Sequence, residues 1–275
     1  MLGKLIKHEF RQTANSVIAV YCSALAAMGF MLLSYITDIT WVGALGSVAL
    51  VFIGGLCIVM TMVAVISNFH RSLYGNQGYL TFTLPVKCGD LLLSKFLVSA
   101  IWILISYLSL IVCIVIVYFY AKIKSNGIAD GLTSMMGDFE LISQLPSKAL
   151  VFEFLFYIAI GAFLNIITFI GYVYFAVTIA NTRPLQKHPL MFGIITFIAS
   201  YSVVQAISAK LTYSLPLSVL VGSDSVRLGF VSMQEAYSQG ALFSVGAGGT
   251  IFSAIVAITL LVLTGWIMEN KVNIK

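Results

Sequence analysis

The sequence predicts an all-α, polytopic membrane protein with six transmembrane helices, and three observations predict it. Of 275 residues, 60% are hydrophobic and only 9% are charged, against about 25% charged in an average soluble domain. The mean hydropathy is +1.03, and the 15 Lys+Arg and 10 Asp+Glu residues are too few to cover a water-soluble globule of this length. The apolar residues are also gathered into long runs, each near the roughly 20 residues that a helix needs to cross the hydrocarbon core. A single membrane domain is therefore expected over residues 1–275.

Six runs qualify, at about residues 16–36, 42–67, 92–119, 149–180, 190–209 and 246–268. The first is too long for a secretory signal, its basic leader extends to Arg11, and no clean small-x-small cleavage site follows. An uncleaved first helix is expected. Ahead of it, residues 2 to 14 gather Leu2, Leu5, Ile6 and Phe10 on one helical arc and Lys4, Lys7, His8 and Arg11 on the other. That pattern predicts a helix lying in the headgroup layer over residues 1–15, cations toward anionic lipid, before the chain turns into the first span. It serves either as a plain basic flank or as a mechanical elbow. Glu9 is the exception, since it falls within the apolar arc and is costly there unless paired with a cation or docked on protein.

The bases set the orientation. With the amino terminus in the cytoplasm, Lys4, Lys7, Arg11, Arg71, Lys87, Lys95, Arg183, Lys187, Lys271 and Lys275 lie inside, and Lys122, Lys124, Lys148, Lys210 and Arg227 lie outside. The acids lean the other way: Glu9, Asp90 and Glu269 are inside, and the remaining seven are at or beyond the outer face. The positive-inside rule then places both termini in the cytoplasm. Trp41, Tyr118, Tyr120 and Trp266 fall near span ends as interfacial anchors.

Two outer segments, residues 120–148 and 210–245, are long enough to hold structure. The second has two apolar pieces, Leu215 to Val221 and Met233 to Val245, each too short to span. Re-entrant or interfacial helices are expected there. No internal repeat is visible, which speaks against an inverted-repeat transporter.

The spans hold almost no ionisable groups beyond Glu153, and His8, His70 and His188 all fall in cytoplasmic segments. No Ser–His pair, paired acids or HExxH can be assembled at depth, so an intramembrane enzyme is not expected and ion-driven transport is weakened. Cys22, Cys57, Cys88 and Cys113 are scattered without CxxC spacing, which predicts neither a disulfide framework nor a zinc site. No Lys/Arg run points to nucleic acid. Asn165 and Gln205 are neutral amides at depth that either join helices or line a cargo path. Gly54, Gly55, Gly161 and Gly171 read as close helix contacts.

The most informative stretch is Asn68 to Lys95, NFHRSLYGNQGYLTFTLPVKCGDLLLSK. Gly75 and Gly78 break the helix leaving the membrane, a short apolar and aromatic element follows, and Pro85 ends it. Tyr79, Leu80, Phe82 and Leu84 are thereby grouped on a cytoplasmic turn, as a partner surface or as packing against the protein's own helix ends.

The pattern Gly78-Tyr79-Leu80, then Thr83-Leu84-Pro85-Val86, then Leu91-Leu92-Leu93-Ser94-Lys95 resembles the G-x-L…LPVS…GK stretch of permease subunits of type-2 ABC transporters. It is most similar to the bacterial branch exporting bacitracin-, lantibiotic- and phenol-soluble-modulin-type peptides. Leu5-Ile6-Lys7-His8-Glu9-Phe10 resembles that branch's amino-terminal helix, and the six-span layout agrees over essentially the whole chain. The chain departs from the usual pattern at Asn76-Gln77 and at Lys87-Cys88.

The resemblance implies a bacterial plasma-membrane half-transporter that is not itself an enzyme and binds no cofactor. Its cargo is an amphipathic peptide or other hydrophobic compound. ATP and Mg are held by a separate nucleotide-binding ATPase subunit, and this chain contains no GxxxxGK[ST]. Gly75, Gly78, Tyr79, Leu80, Phe82, Leu84, Pro85 and Lys87 become the coupling helix docked on that ATPase, Arg183 and Lys187 a second cytoplasmic contact, and a second permease copy completes a homodimer. A stand-alone secondary carrier, or a membrane subunit that senses an antimicrobial without moving it, are the alternatives.

Overall fold

The long apolar runs become long helices because a backbone in hydrocarbon must satisfy its own hydrogen bonds. The computed structural model describes residues 2–37, 40–75, 78, 88–143, 148–182, 185, 187–221, 226–231, 235 and 243–270. Six helices are present among them: α1 (Leu2–Thr37), α2 (Thr40–Leu73), α3 (Cys88–Ser143), α4 (Lys148–Ala180), α5 (Pro189–Ser214) and α6 (Gly248–Asn270). Five stretches are long and apolar enough to cross a bilayer: Trp41–Leu73, Cys88–Lys124, Phe156–Ala180, Pro189–Ser214 and Gly248–Asn270. The chain is thus a helical, multi-pass membrane protein.

It folds as two compact units, Met1–Glu140 and Leu141–Lys275. In the first, α1 and α2 run antiparallel. Glu9 meets Asn68 at one end, and Met31 lies against Gly46 at the other. The helix α3 runs alongside them, with Cys113 joining Ala27, Met31 and Leu50 in a buried cluster. Gly54 is a close contact as expected: a Cβ there would come within 3.1 Å of Leu110 and 3.4 Å of Cys113. Gly55 and Gly161 are not, since a Cβ at either meets nothing within 4 Å.

In the second unit, α4 and α6 cross at Gly171, where a Cβ would lie 3.0 Å from the Ala257 carbonyl oxygen. The helices α5 and α6 approach still more closely at Gly249, against Ser208 and Thr212. Aromatic rings fill the α4–α5 seam, with Tyr172 edge-on to Tyr201 at 5.9 Å and Phe169 edge-on to Phe197 at 6.1 Å.

Two further expectations are corrected. First, no break separates an amino-terminal helix from the first span, because α1 is continuous from Leu2 to Thr37. Ile6, Phe10, Ala14 and Tyr21 pack around Val17, Val98 and Trp102, so this end of α1 is held by protein.

The helix α3 covers the expected span and continues past residue 119 into the segment expected to hold structure. It reaches Ser143 over 56 residues.

Second, the segment expected to form re-entrant or interfacial helices instead contributes strands β1 (Ser218–Val221), β2 (Val226–Gly229) and β3 (Phe243–Gly246). They form an antiparallel sheet in the order β2-β1-β3, pairing Val221 with Val226 and with Phe243. The run Val219-Leu220-Val221, bounded by Pro216 and Gly222, is too short for a stable helix and rich in β-branched side chains.

Candidate functional site

A carboxylate on the apolar face of a helix needs a partner, and Glu9 has two. Its Oε1 lies 2.5 Å from Lys95 Nζ. Its Oε2 accepts a hydrogen bond from Asn68 Nδ2 at 2.9 Å. The Lys95 side chain is 1% exposed and that of Glu9 11%, so the pair is shielded from solvent and held by all three helices of its unit. Breaking such a pair by removing one partner typically costs about 3–5 kcal/mol, because a buried charge is left alone.

The node opens a polar seam along the unit. Thr13, one turn beyond Glu9, sends its hydroxyl to the Glu9 carbonyl oxygen at 2.9 Å and accepts the Trp102 indole N–H at 2.8 Å. The Trp102 ring stacks on Phe10 at 4.6 Å. Further along, the Tyr21 hydroxyl lies 2.9 Å from Ser106 Oγ, which donates to Thr61 Oγ1 at 2.7 Å. Thr61 in turn donates to the Cys57 carbonyl at 2.7 Å.

Helical spacing explains the alignment. Lys95, Ser99, Trp102 and Ser106 recur at intervals of three and four on α3, and Glu9, Thr13, Val17 and Tyr21 recur every four on α1. All four α3 residues are buried. This seam cross-links three helices by side-chain bonds and fixes their register.

The seam adjoins the segment to which function is assigned in the sequence. The helix α2 ends at Leu73, and the Tyr74 and Gly75 amides both donate to the His70 carbonyl, at 2.8 and 3.1 Å. The Gly78 amide then donates to the Gly75 carbonyl at 2.8 Å. A Cβ on Gly75 would come within 2.7 Å of the Arg71 carbonyl oxygen, and one on Gly78 within 2.5 Å of that of Leu73. Both glycines are therefore required by the tightness of the turn. Tyr79, Leu80, Phe82, Leu84, Pro85 and Lys87 lie outside the described residues.

Of the two residues expected to make a second cytoplasmic contact, Arg183 lies outside the described residues and Lys187 is exposed in the turn between α4 and α5. Asn165 and Gln205 are both exposed. Asn165 Nδ2 donates to the Gly161 carbonyl at 2.9 Å, and Gln205 Oε1 receives the Ser208 hydroxyl at 3.4 Å, so neither amide bridges to another helix. Among the described residues, no group of three or more His, Cys, Asp and Glu is placed to hold a metal ion.

Lys95 is the residue whose role the counting of bases leaves incomplete. As a flanking base it belongs in the headgroups, yet it is buried and ion-paired. The isolated carboxylate of Glu9 was the available signal, with Lys95 just inside the third predicted span as its natural cation.

Fold and seam define a multi-pass membrane protein whose first three helices are bonded into one body. No known family, characterised protein or solved structure matches the chain.

Proposed function

We propose that this chain is the permease subunit of an ATP-driven ABC exporter, acting as a homodimer with a separate ATPase subunit to move an amphipathic peptide or other hydrophobic compound out of a bacterial cell. The observation that carries this reading is the segment joining α2 and α3. It leaves α2 through a turn that only glycine fits at Gly75 and Gly78, and its sequence runs Gly-Tyr-Leu to Leu-Pro-Val between two spans. A short, apolar, turn-bounded element on the cytoplasmic face suits docking in a groove of a soluble partner. ATP-driven closure of the partner then reaches α2 and α3 through their shared ends. The distribution of bases supports cytoplasmic termini, which puts this segment on the side where ATP is available.

The test is co-purification of the chain with an ATPase expressed alongside it. The expected result is a stable complex, lost when Leu80 and Phe82 are both replaced by Asp while the variant still inserts in the membrane. An unchanged complex sinks the docking assignment. Transport in vesicles without nucleotide identifies a secondary carrier instead, and peptide-stimulated ATP hydrolysis without movement of the peptide identifies a sensor.

A further inference from the structure

Glu9 binds both roots of the segment joining α2 and α3, and it does so from a third helix. Asn68, on its Oε2, lies within the last two turns of α2, and Lys95, on its Oε1, lies in the second turn of α3. The two oxygens of one carboxylate thus span the gap between the helix that enters the segment and the helix that leaves it. Nothing in ordinary helix packing needs a charge here. An apolar residue at position 9 would fill the same arc at less desolvation cost, and buried ion pairs are often replaceable by apolar groups without loss of stability. What the carboxylate supplies is geometry, two directional bonds that set the spacing of the two roots.

We propose that Glu9 is a positioning residue: it clamps the ends of α2 and α3 at a fixed separation and ties both to α1, so that a displacement of residues 74 to 87 moves three helices as one body. The clamp stands on the described geometry alone, and its use in transport rests on the permease reading above. Phe10 against Trp102 and Thr13 beneath the Trp102 indole extend the grip by a further turn, so α1 follows α3 without slipping along it.

The experiment uses the full chain in nanodiscs, in a background without native cysteines, with spin labels at Arg71→Cys and Asp90→Cys. Both positions are exposed and each lies near one root. The wild-type pair is expected to give one narrow distance distribution. Glu9→Gln broadens it, and the exchange Glu9→Lys with Lys95→Glu narrows it again, because Asn68 can turn its amide to offer oxygen to the relocated ammonium. Should Glu9→Gln fail to fold, Asn68→Ala leaves the ion pair intact and frees only the α2 root, and is expected to broaden the distribution alone. A distribution as narrow in Glu9→Gln or Asn68→Ala as in wild type overturns the clamp.

With the ATPase bound, Glu9→Gln is expected to keep docking but lower transport per ATP hydrolysed by at least about fivefold, and the exchange to restore it. An unchanged ratio overturns the transmission role. A wild-type chain that recruits no ATPase defeats the permease reading, and the distance measurement still decides the clamp.

Discussion

The crossing of α5 and α6 at Gly249 makes a sharp prediction about a single methyl group. In Gly249→Ala the new Cβ would stand 2.0 Å from Thr212 Oγ1 and 2.4 Å from the Ser208 carbonyl oxygen. The first contact can be relieved by rotating a side chain, although Thr212 Oγ1 then gives up its 2.8 Å bond to that same carbonyl. The second involves backbone, so the two helices must separate. Overpacking of a well-fitted core costs about 1–3 kcal/mol, and close approach of small residues is a principal source of helix association in a bilayer. Gly249→Ala is therefore expected to lower the midpoint of thermal unfolding in detergent by several degrees. Thr212→Ala combined with it should recover only part of the loss, because the Ser208 contact remains. Gly161→Ala is the control, with nothing within 4 Å of its Cβ. It removes a glycine from mid-helix and should be neutral or stabilising by up to about 1 kcal/mol. Equal melting of Gly249→Ala and wild type, or a loss in Gly161→Ala as large as that in Gly249→Ala, refutes the reasoning.

Other outcomes follow from the same geometry. Trp102→Phe keeps a ring against Phe10 but loses the bond to Thr13, and should destabilise by about 1 kcal/mol, measured by thermal unfolding; Trp102→Ala, which also empties the site, should cost about 3–5 kcal/mol. Ser106→Ala removes the link from Tyr21 to Thr61, and interhelical bonds of this kind in membranes average about 0.6 kcal/mol. A double-mutant cycle with Thr61→Val should therefore return a small coupling, and one above about 2 kcal/mol would mean the seam is stiffer than the separate bonds imply. Cys88 stands at the head of α3, beside the proposed cytoplasmic segment. In a chain with the other three cysteines replaced, a membrane-impermeant maleimide should leave it unlabelled in intact cells and label it in inside-out vesicles.

The spans were legible because hydropathy and length are nearly sufficient for a helix in lipid. Residues 42–67, 190–209 and 246–268 fall within α2, within α5 and almost wholly within α6. Hydropathy says nothing of where a helix stops once it leaves the bilayer, so the far end of α3 was not visible. Length alone was a poor guide at Leu215 to Val221, where β-branched residues between Pro216 and Gly222 favour a strand. The seam was half legible. Glu9 announced the need for a partner, but a sequence does not reveal which cation comes to it across 86 positions. Lys95 satisfies equally well the rule for a headgroup base and the geometry of a buried one. Tertiary contact alone separates these, as it does for Gly54, which packs, and its neighbour Gly55, which does not.

That separation of 86 positions has a consequence for how the protein is made. At about 5–20 residues per second, a ribosome reaches Lys95 roughly 4–17 s after Glu9. Over that interval Glu9 has Asn68 within reach once α2 is made but lacks its cation. Of the two bonds that Glu9 makes across helices, the one to α3 is therefore the last to form. Nascent chains arrested before Lys95 should hold α1 less firmly against α2 than chains arrested after α3 has emerged.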